Sequence, residues 1–395
     1  MPPDQDKQPE SNPSDHTFLQ TTLARPAFVL LLLTALFGCL AIFNATLHEV
    51  KSSHLVWRQL VWLAVGVLVL ILAARIRPET YRRYYLFPAG GLFLLLILVV
   101  IVGHSSNGMQ GWFRVEIRPL TPIFSPILIQ PSELAKPFYI LTAVFMLCSL
   151  TRLHQKSLTQ KSFTWRRAIL YFCMCGSWLL LIALQPDFGT VLIYGSMAII
   201  IYWLAGGLIQ HLLSACGVAV LSATIAIFHY DYIRNRFIGF LSPEKYPQDA
   251  GWHVLQFQTA LAHGGLAGAD QPLWSQYYLP LGYSDSIFAT VGERIGLIGL
   301  LAIILVVCGW FLYVMRVGRR LHNPTSQIIV TSLGVMLGLQ AFVHISVNLG
   351  LLPPTGITFP LLSYGGSSLV GSFLTVGILL AHTNEKTVPQ KETDN

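Results

Sequence analysis

Ten apolar stretches, each about 20 residues long, constrain this 395-residue chain more than any other feature. They run over roughly 27–46, 55–74, 85–103, 131–150, 168–184, 188–206, 208–229, 295–315, 327–349 and 364–382. A helix rises about 1.5 Å per residue, so each stretch is long enough to cross a ~30 Å hydrocarbon core. Backbone N–H and C=O groups in lipid must bond within their own segment, which a helix achieves and a single strand does not. With 53% apolar and only 11% charged residues, the chain lacks the polar surface that a water-soluble domain of this length needs. The expected fold class is therefore an all-α polytopic membrane protein with ten transmembrane helices. Residues 1–26, polar and rich in Pro, Ser and Asp, read as a disordered tail. The apolar run after them is too long for a signal-peptide core and has no small-residue cleavage site, so it reads as a retained span. The membrane domain is expected to cover 27–382, with a second tail at 383–395.

Lys and Arg set the orientation. With the N-terminus in the cytoplasm, 16 of the 25 fall in inner segments and seven in outer ones, while Arg58 and Lys136 lie within spans. An even number of spans then puts both termini in the cytoplasm. The net charge of +7 is in that reading a topology signal, and no basic stripe studded with aromatics points to nucleic acid. All six cysteines fall inside apolar runs, so no disulfide framework is expected. No Walker loop, dinucleotide fingerprint or HExxH is present, and no nucleotide cofactor is expected.

Two connections are long, both on the outside: about 104–130, and the larger 230–294 between spans 7 and 8. Loops of such length usually carry function. Within the second, AGWHVLQFQTALAHGGLAG (250–268) has the apolar spacing of a short helix stopped by Gly264 and Gly265, either lying at the membrane surface or packed as a loop helix on its own protein.

The ionisable residues in or beside the spans all collect at the outer side. Arg58 sits near the start of span 2, Glu133 and Lys136 open span 4 in IQPSELAK, and Asp187 opens span 6 in LQPDFGT. Asp285, in YSDSIF, precedes span 8 together with Glu293 and Arg294. A charge held in a membrane costs at least ~2.5–3.5 kcal/mol, so such residues commonly mark a site. Each also has a structural reading. Pro followed by an acid is a capping pattern, Glu133 and Lys136 three apart form an ion pair on one helix face, and Arg58 can snorkel. Span 10 opens on YGGSS, with Ser367 in its first turn, where free N–H groups suit a phosphate but where small residues also suit close packing. What the structural readings leave unexplained is the joint placement on one side. A polar cavity at the outer leaflet, open to an anionic lipid headgroup, accounts for it.

Five stretches in this order carry a resemblance: QPSELAK (130–136), QPDFGT (185–190), DYIRNRFIGFLSPEKYPQDAGWHVLQFQTALAHGGLAG (231–268), LPLGYSDSIFATVGERIG (279–296) and LPPTGITFPLLSYGGSS (352–368). They resemble the SEDS family (shape, elongation, division and sporulation), typified by RodA and FtsW, over about 27–382. SPEKYPQDAGWHVLQ and PPTGI are more similar to the elongation branch than to the division branch. The resemblance implies a peptidoglycan glycosyltransferase of the bacterial cytoplasmic membrane. Its implied substrate is lipid II. Its implied partners are a class B penicillin-binding protein that cross-links the strands, other membrane proteins of the elongation complex and membrane lipids. The family's essential aspartate corresponds to Asp285, and its substrate-site residues to Arg58, Gln59, Glu133, Lys136 and Asp187. In that reading Asp285 takes the acceptor proton or binds a metal, while Arg58, Lys136, Mg²⁺ or Mn²⁺, or the Ser367 helix end neutralises the leaving pyrophosphate. A lipid II flippase, which a ten-span fold allows, and a non-catalytic scaffold are the rival classes. Leu281, Tyr283, Ser284 and Ser286 stand where the family often has Glu, His, Thr and Phe. Gly111 stands where it commonly has Arg, and Arg294 where a Glu-Glu pair is frequent.

Overall fold

The computed structural model describes residues 26–46, 54–106, 108–116, 126–151, 163–270 and 281–383. Apart from Pro26 and Thr383, the two expected tails fall outside these residues, as do Leu279 and Pro280 of the motif before Asp285. Each of the ten apolar runs coincides with a helix. In chain order they are α1 (Pro26–Thr46), α2 (His54–Arg75), α4 (Leu86–Val102), α5 (Pro131–Thr151), α6 (Trp165–Ala183), α7 (Phe188–Leu204), α8 (Ile209–His229), α11 (Ile287–Arg320), α12 (Pro324–Asn348) and α13 (Gly366–Thr383). Eight of them are long and apolar enough to cross a membrane unaided. The other two are α4, which qualifies only with the short α3 (Pro78–Tyr84), bent from it by 51°, and α7, which has 17 residues.

The connection between α4 and α5 corrects the all-α expectation. It forms a three-stranded antiparallel sheet of β1 (His104–Ser106), β2 (Met109–Val115) and β3 (Ile127–Ile129), with Phe113 opposite Ile129 and Val115 opposite Ile127. Strands of three and seven residues carry too little alternation to separate them from loop by pattern alone. The second loop holds α9 (Asp231–Leu241), a single 3-10 turn at Pro243–Lys245, and α10 (Trp252–Gly264). α10 forms over the expected stretch and packs with Val254, Phe257 and Ala260 buried, ending as expected at Gly265, whose φ of 51° few other residues adopt cheaply.

Small residues allow close helix approach where hydrophobic burial drives little. A methyl on Gly377 would stand 2.7 Å from the Leu70 carbonyl oxygen, and one on Gly66 2.5 Å from the Phe373 ring, so α13 lies directly against α2. Buried phenols brace the neighbouring helices: Tyr139 donates to the Tyr194 carbonyl (2.9 Å), Tyr171 to Ala198 (2.9 Å) and Tyr194 to Ser132 (2.7 Å). α11 is two helices in one, broken at Gly296 (φ 64°, ψ −171°). In sequence order, the starts of α2, α5, α7, α11 and α13 and the end of α12 all carry residues that line or support one cavity.

Candidate active site

That cavity has a volume of about 1100 Å³ and is walled by Arg58, Glu133, Asp187, Arg236, Asp285 and Ser367 among others. Apolar side chains also line it, among them Val61, Trp62, Trp112, Ile127 and Leu128. Five of the seven expected site residues are thus brought together. Gln59 and Lys136 are not on the wall; both are buried behind it.

Asp187 caps α7 and faces the cavity at once. One carboxylate oxygen accepts from the Thr190 N–H (3.0 Å) and the other from Gln130 Nε2 (3.1 Å). Gln130 also donates its backbone N–H to Ser367 Oγ (2.9 Å), linking the starts of α5, α7 and α13. Burial holds the Asp187 carboxyl above its ordinary range, against the pull of the Thr190 hydrogen bonds.

Glu133 and Lys136 form the pair their spacing suggests, at 2.6 Å, with side chains 9% and 4% exposed. Lys136 Nζ also donates to Gln340 Oε1 (3.0 Å). Gln340 Nε2 continues to the Thr358 carbonyl (3.1 Å), and Thr358 Oγ1 meets Ser368 Oγ (2.7 Å). The lysine is therefore committed to a buried chain behind the wall, and Glu133 alone of the pair reaches the cavity. Gln59 is likewise structural: fully buried, it donates to the Ser363 carbonyl (3.2 Å) and accepts from the Gly365 N–H (3.4 Å). Its neighbour Arg58 lines the cavity and hydrogen-bonds Tyr364.

Asp285 sits one residue before the Ser286 N-cap of α11, partly open to the cavity. Burial raises its carboxyl above the ordinary range, as its apolar neighbours lead one to expect. A Ser284 hydrogen bond and the charge of Arg236 pull the other way, and Asp187 adds to the rise. Arg236, on α9, was missed in the sequence, where it counts as one more outer-loop cation. It donates to the Pro354 carbonyl (2.8 Å), which aims its charge at Asp285 and His253. Glu293 lies off the wall, buried and 3.1 Å from His263 Nδ1. A methyl on Gly111 would meet Gln185 Oε1 at 3.5 Å and Gln130 Nε2 at 3.8 Å, and Tyr283 stacks edge-on against Tyr364.

Among the described residues no group of three or more His, Cys, Asp or Glu side chains is placed to hold a metal ion. A divalent cation held by protein ligands alone does not fit this site.

The site joins carboxylates, arginines and the Gly365–Ser368 helix start under a surface helix, inside a bundle of membrane-length helices. A polar cavity enclosed by membrane-length helices is the arrangement of a polytopic membrane protein with a functional pocket. Residues 24–387 match the family described as "Cell cycle protein", which groups FtsW, RodA and SpoVE, and the chain belongs to that family. It is 29% identical to the probable peptidoglycan glycosyltransferase FtsW of Idiomarina loihiensis, over 92% of this chain and 87% of that one. It is 31% identical to the protein of the same description from Geobacter metallireducens, over 89% and 92%. Among solved structures, it shares its fold with a chain of a peptidoglycan synthase complex (TM-score 0.71, 24% identity, 90% of this chain and 97% of that one). It shares it also with Thermus thermophilus RodA, a rod shape determining protein (TM-score 0.63, 23% identity, 90% and 94%).

Proposed function

We propose that this protein is a peptidoglycan glycosyltransferase, polymerising lipid II at the outer face of the cytoplasmic membrane. The observation that carries the reading is the placement of Asp285: a carboxylate on the wall of a cavity that also presents Arg58, Arg236 and a helix N-terminus. The C4 hydroxyl of the acceptor sugar attacks C1 of the donor. The new O4–C1 bond forms as the bond from C1 to the pyrophosphate oxygen breaks, with inversion from α to β. Asp285 receives the hydroxyl proton, and the electron pair of the broken bond departs with undecaprenyl pyrophosphate. A pyrophosphate leaves as a stable anion, so the second carboxylate that glycosidases need for leaving-group protonation is not required. Arg58, Arg236 and the α13 backbone N–H groups would stabilise that anion. Mg²⁺ or Mn²⁺, entering with the pyrophosphate, would supply further positive charge there.

The topology proposed with this reaction is ten spans with both termini cytoplasmic. In support, every element that lines the cavity does so with its outer end under that assignment, and Arg75, Arg319 and Arg320 close α2 and α11 at their inner ends. A class B penicillin-binding protein is the proposed cross-linking partner, together with other elongation-complex membrane proteins. The fold shared with a synthase complex supports the former. Within the family we assign the chain to elongation on the sequence of its large outer loop. The FtsW descriptions of its curated relatives favour division as the second reading. Depletion separates them: rounded cells support elongation, and filaments with blocked septa support division.

The polymerase reading is tested with the purified protein, its cognate transpeptidase and labelled lipid II, with and without Mg²⁺ or Mn²⁺. Asp285→Ala is expected to lower polymer formation by ~10²–10⁴-fold. Equal polymer from both proteins would sink the base role, and transbilayer lipid movement without polymer would favour the flippase.

A further inference from the structure

We propose that Asn348, the last residue of α12, is a positioning residue that holds Asp285 at the cavity wall from the neighbouring helix. This rests on the reading of Asp285 as the base.

Asn348 is fully buried and all of its bonding groups are engaged at one place. Its Nδ2 donates to the Asp285 carbonyl (3.1 Å) and to the His344 carbonyl (3.0 Å), while its Oδ1 accepts from the Ala289 N–H (3.2 Å). Ala289 is the third residue of α11, whose N–H is the one an N-cap side chain ordinarily takes. Ser286, the N-cap itself, makes no such bond. Asn348 thus caps α11 from another helix, and the same amide grips the carbonyl of the residue just outside the cap.

The grip extends along the whole approach. Four consecutive carbonyls are taken: Gly282 by Thr290 Oγ1 (2.8 Å), Tyr283 by the Tyr364 N–H (2.8 Å), Ser284 by Ser363 Oγ (2.7 Å) and Asp285 by Asn348. Ser363 is itself fixed by Gln59, which explains why that glutamine is buried rather than on the wall. All four anchors act on backbone. The Asp285 carboxylate faces Ser284, Arg236 and Asp187, and a methyl on Gly356 would lie 3.6 Å from it, but none of these sets where the chain enters α11. Asn348 is the one anchor that joins the Asp285 carbonyl to the first turn of the helix, so its loss frees the carboxylate without touching the cavity wall.

The experiment compares wild type, Asn348→Ala and Asn348→Gln in nanodiscs. The glutamine keeps the amide but moves it by one methylene, which covers the case in which the alanine variant does not fold. Hydrogen exchange without lipid II is expected to accelerate in peptides spanning 285–292 and to stay unchanged in α13. With lipid II and the transpeptidase, kcat is expected to fall about 10²-fold, the scale of a ~1 Å misplacement, with KM little changed. The acid limb of the kcat–pH profile should move toward the ordinary carboxylate range as Asp285 meets water, a change that loss of fold alone does not produce. Unchanged exchange overturns the cap, and faster exchange with wild-type kcat and pH profile overturns the positioning role. Full activity of Asp285→Ala instead overturns the base reading, while the exchange result still decides whether Asn348 caps α11.

Discussion

α8 and α12 are near equals as sequences and opposites in the structure. They have 21 and 25 residues, and both are apolar enough to cross a membrane. Yet 89% of the most apolar stretch of α12 is buried inside the protein, against 11% for α8. Hydropathy reports transfer out of water, and lipid tails are as apolar as a protein interior, so it is blind to what a helix finds next to it. The polar residues carry the distinction. On α12, Gln340, His344 and Asn348 recur every four residues on one face and reach across to other elements: Lys136 and Thr358, the Ile357 carbonyl, and Asp285 with Ala289. On α8, Ser214 and Thr224 turn back onto carbonyls of their own helix, Gln210 and Val220, and His211 in the first turn reaches a neighbour, Tyr202 of α7 (2.6 Å).

The contrast is sharpest at the buried ion pair that α12 supports. Lys136→Met leaves Glu133 uncompensated and should cost about 3–5 kcal/mol, read as thermal unfolding in detergent, with polymerisation lost. Adding Glu133→Leu should restore most of the stability and none of the activity, because the cavity still lacks its carboxylate. Gln130→Leu removes the Nε2 donor to Asp187 but keeps the backbone N–H to Ser367, and should cost about 1–3 kcal/mol, with the loss confined to peptides at the starts of α5 and α7 by hydrogen exchange.

Asp285→Asn should move stability the other way. The native state keeps the Asp285 proton to higher pH than the unfolded chain does, so wild-type stability falls as pH rises through that window. The asparagine variant escapes this fall. Its Tm should exceed that of wild type at pH 8 and converge with it below about pH 4, where both states of the wild type are protonated. A Tm difference between variant and wild type that does not grow from pH 4 to pH 8 would contradict the buried-carboxylate account. The smallest effect belongs to α8: Phe228, 78% exposed, should tolerate Ala within about 0.5 kcal/mol. A larger loss would mean that α8 is packed against protein after all.

Legibility in the sequence followed the same divide. Charges beside apolar runs stand out because lipid penalises them, so Asp285, Asp187 and Glu133 could be placed at the site from sequence. Arg236 could not, because in an exposed loop one arginine looks like another until α9 folds back over the cavity. Gln130, Gln340 and Asn348 left a fainter signal, neutral amides at the edges of or within apolar runs, whose partners lie 57, 204 and 63 residues away in the chain. The sheet at 104–129 was lost to strands too short to show their period.

Resemblance to a family singled out Asp285; by itself, the sequence determined that this chain spans a membrane many times and that charged residues stand beside its apolar runs. Those are consequences of transfer energies, which depend on residue type and run length. Only the tertiary structure decided that Lys136 and Gln59 turn away from the cavity, that Arg236 turns toward it, and that Asn348 caps a helix not its own. Direction and partnership depend on which helix faces meet, and that is set by contacts between segments far apart in the chain.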